Sequence, residues 1–170
     1  MRTTDTYTRL IELLEASDAR YRLLHHSPEG RTDLASVLRG HRLEQAAKCV
    51  VIRVGLGGHR RRYLLTVIPG DRQVDLDGIR GRYAAADAAL AAPDTAEALT
   101  GCRRGSIVPF SFDPDLHLLT DPALLHHPEI YFNAACLDRS VALATDDYVR
   151  LARPHLVPLA READTSAAAP

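Results

Sequence analysis

The chain has 170 residues, 46% of them hydrophobic, and a formal net charge of -1. That length suits a single domain with a core large enough to dispense with disulfides, and the near-neutral balance excludes a global basic field, so any nucleic-acid contact has to come from a local patch. Cys49, Cys102 and Cys136 are odd in number and form no CxxC pair, which points to a reduced, cytoplasmic protein, and no stretch approaches the ~20 apolar residues that cross a bilayer.

The first residues lead straight into an amphipathic pattern rather than a continuous apolar signal region. The expectation is therefore a cytoplasmic monomer or small homo-oligomer without membrane attachment. Residues 5–17 read as a helix, capped by Asp5 or Thr4, with Leu10, Leu13 and Leu14 on its apolar stripe. Tyr21 to His25 alternates like a short strand, and His25 to Gly30 is a loop punctuated by Pro28 and Gly30. Thr32 is placed to cap a helix from Asp33 to Arg39, which Gly40 ends.

Two apolar, β-branched runs follow, Cys49 to Val54 and Tyr63 to Ile68, with a glycine-rich, basic segment between them. The pattern predicts a hairpin with its tip at Gly55 to Arg62. No GxxxxGK[ST] is present, so a turn is favoured over a phosphate loop. Arg60, Arg61 and Arg62 are either a solvated charge run or a contact for a nucleic-acid backbone. Asp77 could cap a short helix, and Ala84 to Ala98 reads as partly helical with a break at Pro93. Thr100 to Phe110 holds two glycines around a basic pair and a proline. Backbone there can approach a ligand closely and present free N–H groups.

Leu116 to Leu119, Glu129 to Ala134 and Ser140 to Ala144 are strand candidates. Asp121-Pro122 opens a short helix between the first two, and Thr145 is placed to cap a last helix over 146–152. Residues 161–170, rich in Ala, Thr and Ser, read as a disordered tail. With no repeat and no second domain visible, the fold class is α/β (α+β). The expected architecture over residues 1–160 is a mixed, curled sheet with helices at both ends.

One residue stands apart. Lys48 is the only lysine, all other basic side chains being arginine. Lys is a compact point charge that burial can tune, whereas Arg is a rigid fork. Either Lys48 survives by chance and snorkels from a strand edge, or its ammonium is used. Other chemistries find no support. The histidines are scattered, and the adjacent pairs His25-His26 and His126-His127 make poor chelates, so no metal or other cofactor is expected. Gly-x-Ser-x-Gly is absent, and Cys49 lies in an apolar strand, where an inert thiol is the simpler reading.

The ordered set that remains resembles the YbaK family, which includes the editing domain associated with bacterial prolyl-tRNA synthetase. It comprises Pro28-Glu29-Gly30, Arg39-Gly40-His41, Ala46-Ala47-Lys48-Cys49-Val50-Val51, Thr100-Gly101, Gly105-Ser106-Ile107-Val108-Pro109, Asp121-Pro122, Tyr131-Phe132-Asn133-Ala134 and Leu137-Asp138-Arg139-Ser140. The similarity runs over about residues 20–152. Phe110 after the proline and the long basic hairpin depart from the family pattern.

This resemblance implies a compact, mixed, curled sheet or barrel flanked by helices. It also implies hydrolysis of wrongly charged aminoacyl-tRNA in trans, with the acceptor end of the tRNA, and a synthetase, as partners. Lys48 is then expected to position the terminal adenosine through its phosphate or hydroxyls. Backbone N–H groups of the Gly101–Pro109 loop, Gly105 foremost, would stabilise the developing oxyanion, each donor contributing ~3 kcal/mol in well-formed sites. Ser106, Ile107, Val108 and Pro109 would shape the substrate loop. Asp121 could hold the substrate amine, and His26 and Asn133 would line the site. With no general base evident, the expected attack is by a water oriented by substrate hydroxyls and the loop. A non-catalytic tRNA- or synthetase-binding module, or a biosynthetic enzyme using an aminoacyl ester, are the alternatives.

Overall fold

The computed structural model describes residues 5–164. The elements in chain order are α1 (Thr6–Ala16), β1 (Tyr21–His25), α2 (Thr32–Arg39), β2 (Ala47–Gly55), β3 (Arg61–Pro69), β4 (Arg72–Val74), α3 (Leu76–Arg82) and β5 (Asp87–Leu90). They continue with α4 (Pro93–Thr100), β6 (Leu116–Thr120), β7 (Glu129–Asn133), β8 (Arg139–Ala144), α5 (Thr145–Ala152), β9 (His155–Leu156) and β10 (Ala160–Glu162). Single 3₁₀ turns lie at Leu43–Gln45 and Pro122–His126.

The hairpin expected around the glycine-rich tip is the spine of the larger sheet. β2 and β3 pair antiparallel from Ala47↔Pro69 to Gly55↔Arg61. The strand order is β5-β2-β3-β6-β9, with β3–β6 and β6–β9 parallel and the rest antiparallel. Both faces are buried, which is why the strands read as continuous apolar runs instead of alternating ones. Val51, Leu65 and Val67 face a cluster with Leu10, Leu14, Phe132 and Tyr148. Their strand neighbours Ile52, Val54, Leu64 and Ile68 face a second cluster with Ile79 and Leu159.

A three-stranded antiparallel sheet, β1-β8-β7, packs beside the first, and β4 pairs with β10. An isolated parallel bridge, Ala46↔Tyr131, ties the start of β2 to β7. The sheets stay open and do not close into a barrel. β5 pairs only with Ile52–Gly55. The first residues of β2, including Lys48, therefore run along an edge that no described strand covers.

Several local expectations are revised by tertiary context. Alanine favours helix, yet Asp87–Leu90 is a strand, because the open edge of β2 offers hydrogen bonds that an isolated helical turn does not. Pro93 starts a helix rather than breaking one, since its missing N–H costs nothing at the first helical position. Asp75, not Asp77, caps α3, accepting from Gly78 N at 3.0 Å. Neither Thr32 nor Thr145 caps its helix. Each is the first helical residue, after Arg31 and Ala144, and the Thr145 hydroxyl donates to the His127 carbonyl instead. Arg161 and Glu162, expected in an unstructured tail, instead pair with Gln73 and Arg72 in β10. Residues 165–170 lie outside the described residues, as does Thr4. Among the described residues no helix is long and apolar enough to cross a membrane.

Candidate active site

A cavity of about 740 Å³ opens at the uncovered edge of β2. Its wall is assembled from distant parts of the chain: Gly30 to Arg39, Ala46 to Val51, Gln73 to Leu76, the start of α4, the Cys102–Ile107 loop, Phe132-Asn133 and Arg161. Of the residues expected at the site, Lys48, Gly105, Ile107 and Asn133 meet there.

Lys48 is half-buried. Its ammonium donates to the Arg72 carbonyl at 3.1 Å. That bond uses one of its three donors and leaves two for a ligand. Burial lowers its pKa, with Asp33 pulling the other way. Desolvation of this kind strengthens the ammonium's attraction to any anion brought beside it.

Across the wall, the glycine loop is held by Asn133. The Asn133 amide donates to the Gly105 carbonyl and to the Glu29 carbonyl, both at 2.8 Å. Gly105 has φ +85°, and a Cβ there would stand 2.7 Å from the Gly30 Cα. Glycine is required both for the left-handed backbone and for this close approach of two chain segments. Among the described residues the Gly105 and Ile107 amides have no acceptor, whereas the Ser106 amide donates to the Arg103 carbonyl at 3.0 Å. Two N–H groups without an acceptor thus belong to residues that line the cavity.

The other expected residues have different places. Ser106 is buried, its hydroxyl donating to the Arg103 carbonyl at 2.9 Å. Val108 belongs to the core, and neither it nor Pro109 lines the cavity. Gly101 is the left-handed C-cap of α4, packed against Thr6, away from the wall. Asp121 lies away from the cavity with both oxygens occupied. Oδ1 accepts from Ala123 N, and Oδ2 from Leu159 N and Ala160 N at 2.8 and 2.9 Å. It bolts the C-terminal segment to the sheet and is not among the residues that line the cavity. His26 stands behind the wall, its Nε2 2.6 Å from the Ser140 hydroxyl. His41 stacks on the Tyr131 ring with centroids 3.8 Å apart, and burial lowers its pKa.

Sequence reasoning missed Arg39, Glu97 and Arg161 as wall residues. Among the described residues Glu97 is the sole carboxylate on the wall, and it is solvent-exposed. Arg161 reaches the cavity only because β10 pairs with β4, a contact that no local pattern announces. Arg39 lay within a motif that carried the resemblance, but the motif alone does not say that its side chain turns inward. Cys49 and Cys102 also line the cavity, and burial raises both thiols, Cys49 above the range in which thiolates form near neutral pH. That suits inert packing groups. Among the described residues no three His, Cys, Asp or Glu side chains converge as a metal site would need.

The model of the aminoacyl-tRNA editing domain matches residues 29–151, a span holding Lys48, the Gly105 loop and Asn133. The chain belongs to that family. The Escherichia coli K12 protein "Multifunctional Ser/Thr-tRNA deacylase ProXp-y" is 41% identical over 159 residues, covering 93% of this chain and 95% of the relative. Solved structures share the fold at 19% identity. The hypothetical protein APE2540 superposes with a TM-score of 0.79, over 90% of this chain and 99% of that one. A candidate trans-editing enzyme for prolyl tRNA synthetase gives 0.76, over 94% and 99%. Of the wall residues, Arg161 lies beyond the span that the family model matches.

Proposed function

We propose that this chain is an in-trans aminoacyl-tRNA deacylase that hydrolyses the ester of mischarged tRNA, with seryl and threonyl esters as its first candidates. The observation that carries the reading is the cavity in which the half-buried Lys48 ammonium shares a wall with the Asn133-tethered Gly105 loop. The E. coli relative's activity, at 41% identity across nearly the whole of both chains, supports it.

In this reading Lys48 holds the terminal adenosine through a phosphate or hydroxyl oxygen. The Gly105 and Ile107 amides receive the ester carbonyl oxygen as charge builds on it. A water oriented by the substrate's hydroxyls attacks, since the one wall carboxylate, Glu97, is solvent-exposed. An aminoacyl ester is already activated, so two preorganised amides and a fixed ribose supply the stabilisation needed. The partner is the acceptor end of tRNA, with a synthetase supplying further tRNA contacts, in the cytoplasm where tRNA is charged.

The test is hydrolysis of a panel of mischarged tRNAs by the wild-type protein and Lys48→Ala. Rapid loss of one or two amino acids, absent in the variant, is the expected outcome. No loss across the panel by a folded, tRNA-binding protein would replace this reading with that of a binding module.

A further inference from the structure

Arg39 ends α2, and its side chain lines the cavity. One edge of its guanidinium is fixed. Nε donates to the Ser140 hydroxyl at 2.8 Å and Nη2 to the Asn133 carbonyl oxygen at 2.7 Å. Ser140 in turn donates to the same Asn133 oxygen at 2.9 Å. Both partners are buried and uncharged.

On the same wall, Arg31 pairs with Asp33 and Arg161 with Asp164. None of the ion pairs among the described residues includes Arg39. Burial pushes its pKa down to about 10. This is a cation that has lost water without gaining a carboxylate, an arrangement that is unfavourable until an anion completes it. The guanidinium carries five N–H donors in one plane. The side edge is spent on Ser140 and Asn133. The end-on edge, Nη1 with the second N–H of Nη2, is left for a ligand, in the geometry that suits a bidentate oxyanion.

The choice of anion rests on the deacylase reading. Esterification has consumed the carboxylate of the amino acid, and its α-amine is a cation. The anions that a charged acceptor end carries are phosphodiesters. We propose that the end-on edge of Arg39 binds the phosphodiester on the 5′ side of the terminal nucleoside. Ser140 and Asn133 hold the guanidinium plane. Because Asn133 also tethers the Gly105 carbonyl, one side chain sets the phosphate anchor and the loop amides in register, so that a seated acceptor strand brings its ester to the loop.

The test uses two non-hydrolysable probes, 3′-deoxy-3′-serylamido-adenosine with and without a 5′-phosphate methyl ester, which carries the single charge of a phosphodiester. Calorimetry on the wild type should show the phosphorylated probe bound about tenfold or more tightly, as charge-assisted bidentate bonds allow. Arg39→Gln should reduce that increment to about twofold or less, while affinity for the unphosphorylated probe changes by no more than about twofold. Arg39→Lys, with charge but no fork, should fall between. An increment that persists in folded Arg39→Gln, or an equal loss for both probes, would overturn the phosphate site; the second outcome would make Arg39 a brace for the loop. If Arg39→Gln does not fold by circular dichroism, an undiminished increment in Arg39→Lys would overturn the fork. Equal affinities of the wild type for the two probes would remove only the phosphate site, whereas binding of neither would remove the deacylase reading as well.

Discussion

The small sheet β1-β8-β7 carries an arginine cluster at each end, and the two are built in opposite ways. Where β8 runs into α5, Asp147 accepts from the Arg20 amide at 2.9 Å, from Arg20 Nε at 3.0 Å and from Arg150 Nη2 at 3.0 Å. The Arg20 backbone bond leads in holding that carboxyl down at about 2. Where β8 begins, Arg39 meets, among the described residues, only the neutral oxygens of Ser140 and Asn133. The first cluster closes its charges on itself and fastens the N-terminal segment to α5. The second leaves a cation open, and that end is where the cavity lies. Identical side chains serve as a clamp or as a receptor according to whether the fold supplies the counter-charge.

The largest effect that would sharpen this contrast comes from the open end. Lys48→Ala should lower turnover of a mischarged tRNA by about a hundredfold or more, with the melting temperature little changed because the ammonium makes one backbone contact. Activity close to wild type would remove Lys48 from the mechanism. Gly105→Ala should follow. A Cβ 2.8 Å from the Gly30 carbonyl oxygen, on a residue at φ +85°, must push the two loops apart. Stability should fall by about 1–3 kcal/mol, and turnover by about tenfold or more as the amides leave register. Denaturant titration and single-turnover kinetics on the same sample would separate the two effects.

The closed end should show the reverse. Asp147→Asn should cost about 1–2 kcal/mol, discounted for the exposed arginines, and leave turnover unchanged. Its pH signature has a definite sign. A carboxyl held at about 2 in the folded chain, against an ordinary 3.8, contributes fully above pH ~4. That contribution is lost as pH falls from there towards 2. The wild type should therefore lose its advantage over Asp147→Asn across that window, and a constant difference between pH 5 and 2 would contradict the clamp. The smallest effect is expected from Ser140→Ala, which removes one acceptor from Arg39, one donor to Asn133 and the partner of His26 Nε2. About 1 kcal/mol of stability should go, with a raised KM and a nearly unchanged kcat. A fall in kcat with KM unchanged would tie the network to the chemical step instead.

The elements most legible in the sequence are those with local causes. Asp5 before an apolar stripe gives α1, Gly40 stops α2 in the left-handed conformation at φ 74°, and two β-branched runs around glycines give the central hairpin. The illegible ones depend on partners. Asp87–Leu90 is alanine-rich yet extended, because β2 offers it an edge. β10 forms because β4 lies free to pair with it. The site divides in the same way. Lys48 could be singled out as the lone ammonium in an arginine chain, and the Gly105 loop by its glycines and proline. Asp121, readable as a substrate contact, caps the turn that follows it through the Ala123 amide and gives its other oxygen to the amides of Leu159 and Ala160, which sequence spacing cannot bring to it.

The sequence by itself determined which groups could do chemistry: one lysine, a glycine loop with free amides, and an order of motifs that resembles an editing domain. Residue type, propensity and capping are local properties, written into neighbouring residues. Only the tertiary structure decided which groups face one another. The Asn133 tether, the open edge of Arg39 and the spent carboxylate of Asp121 all join segments far apart in the chain. Burial and counter-charge are properties of that assembly, and they decide whether a charged side chain becomes a fastening or a site.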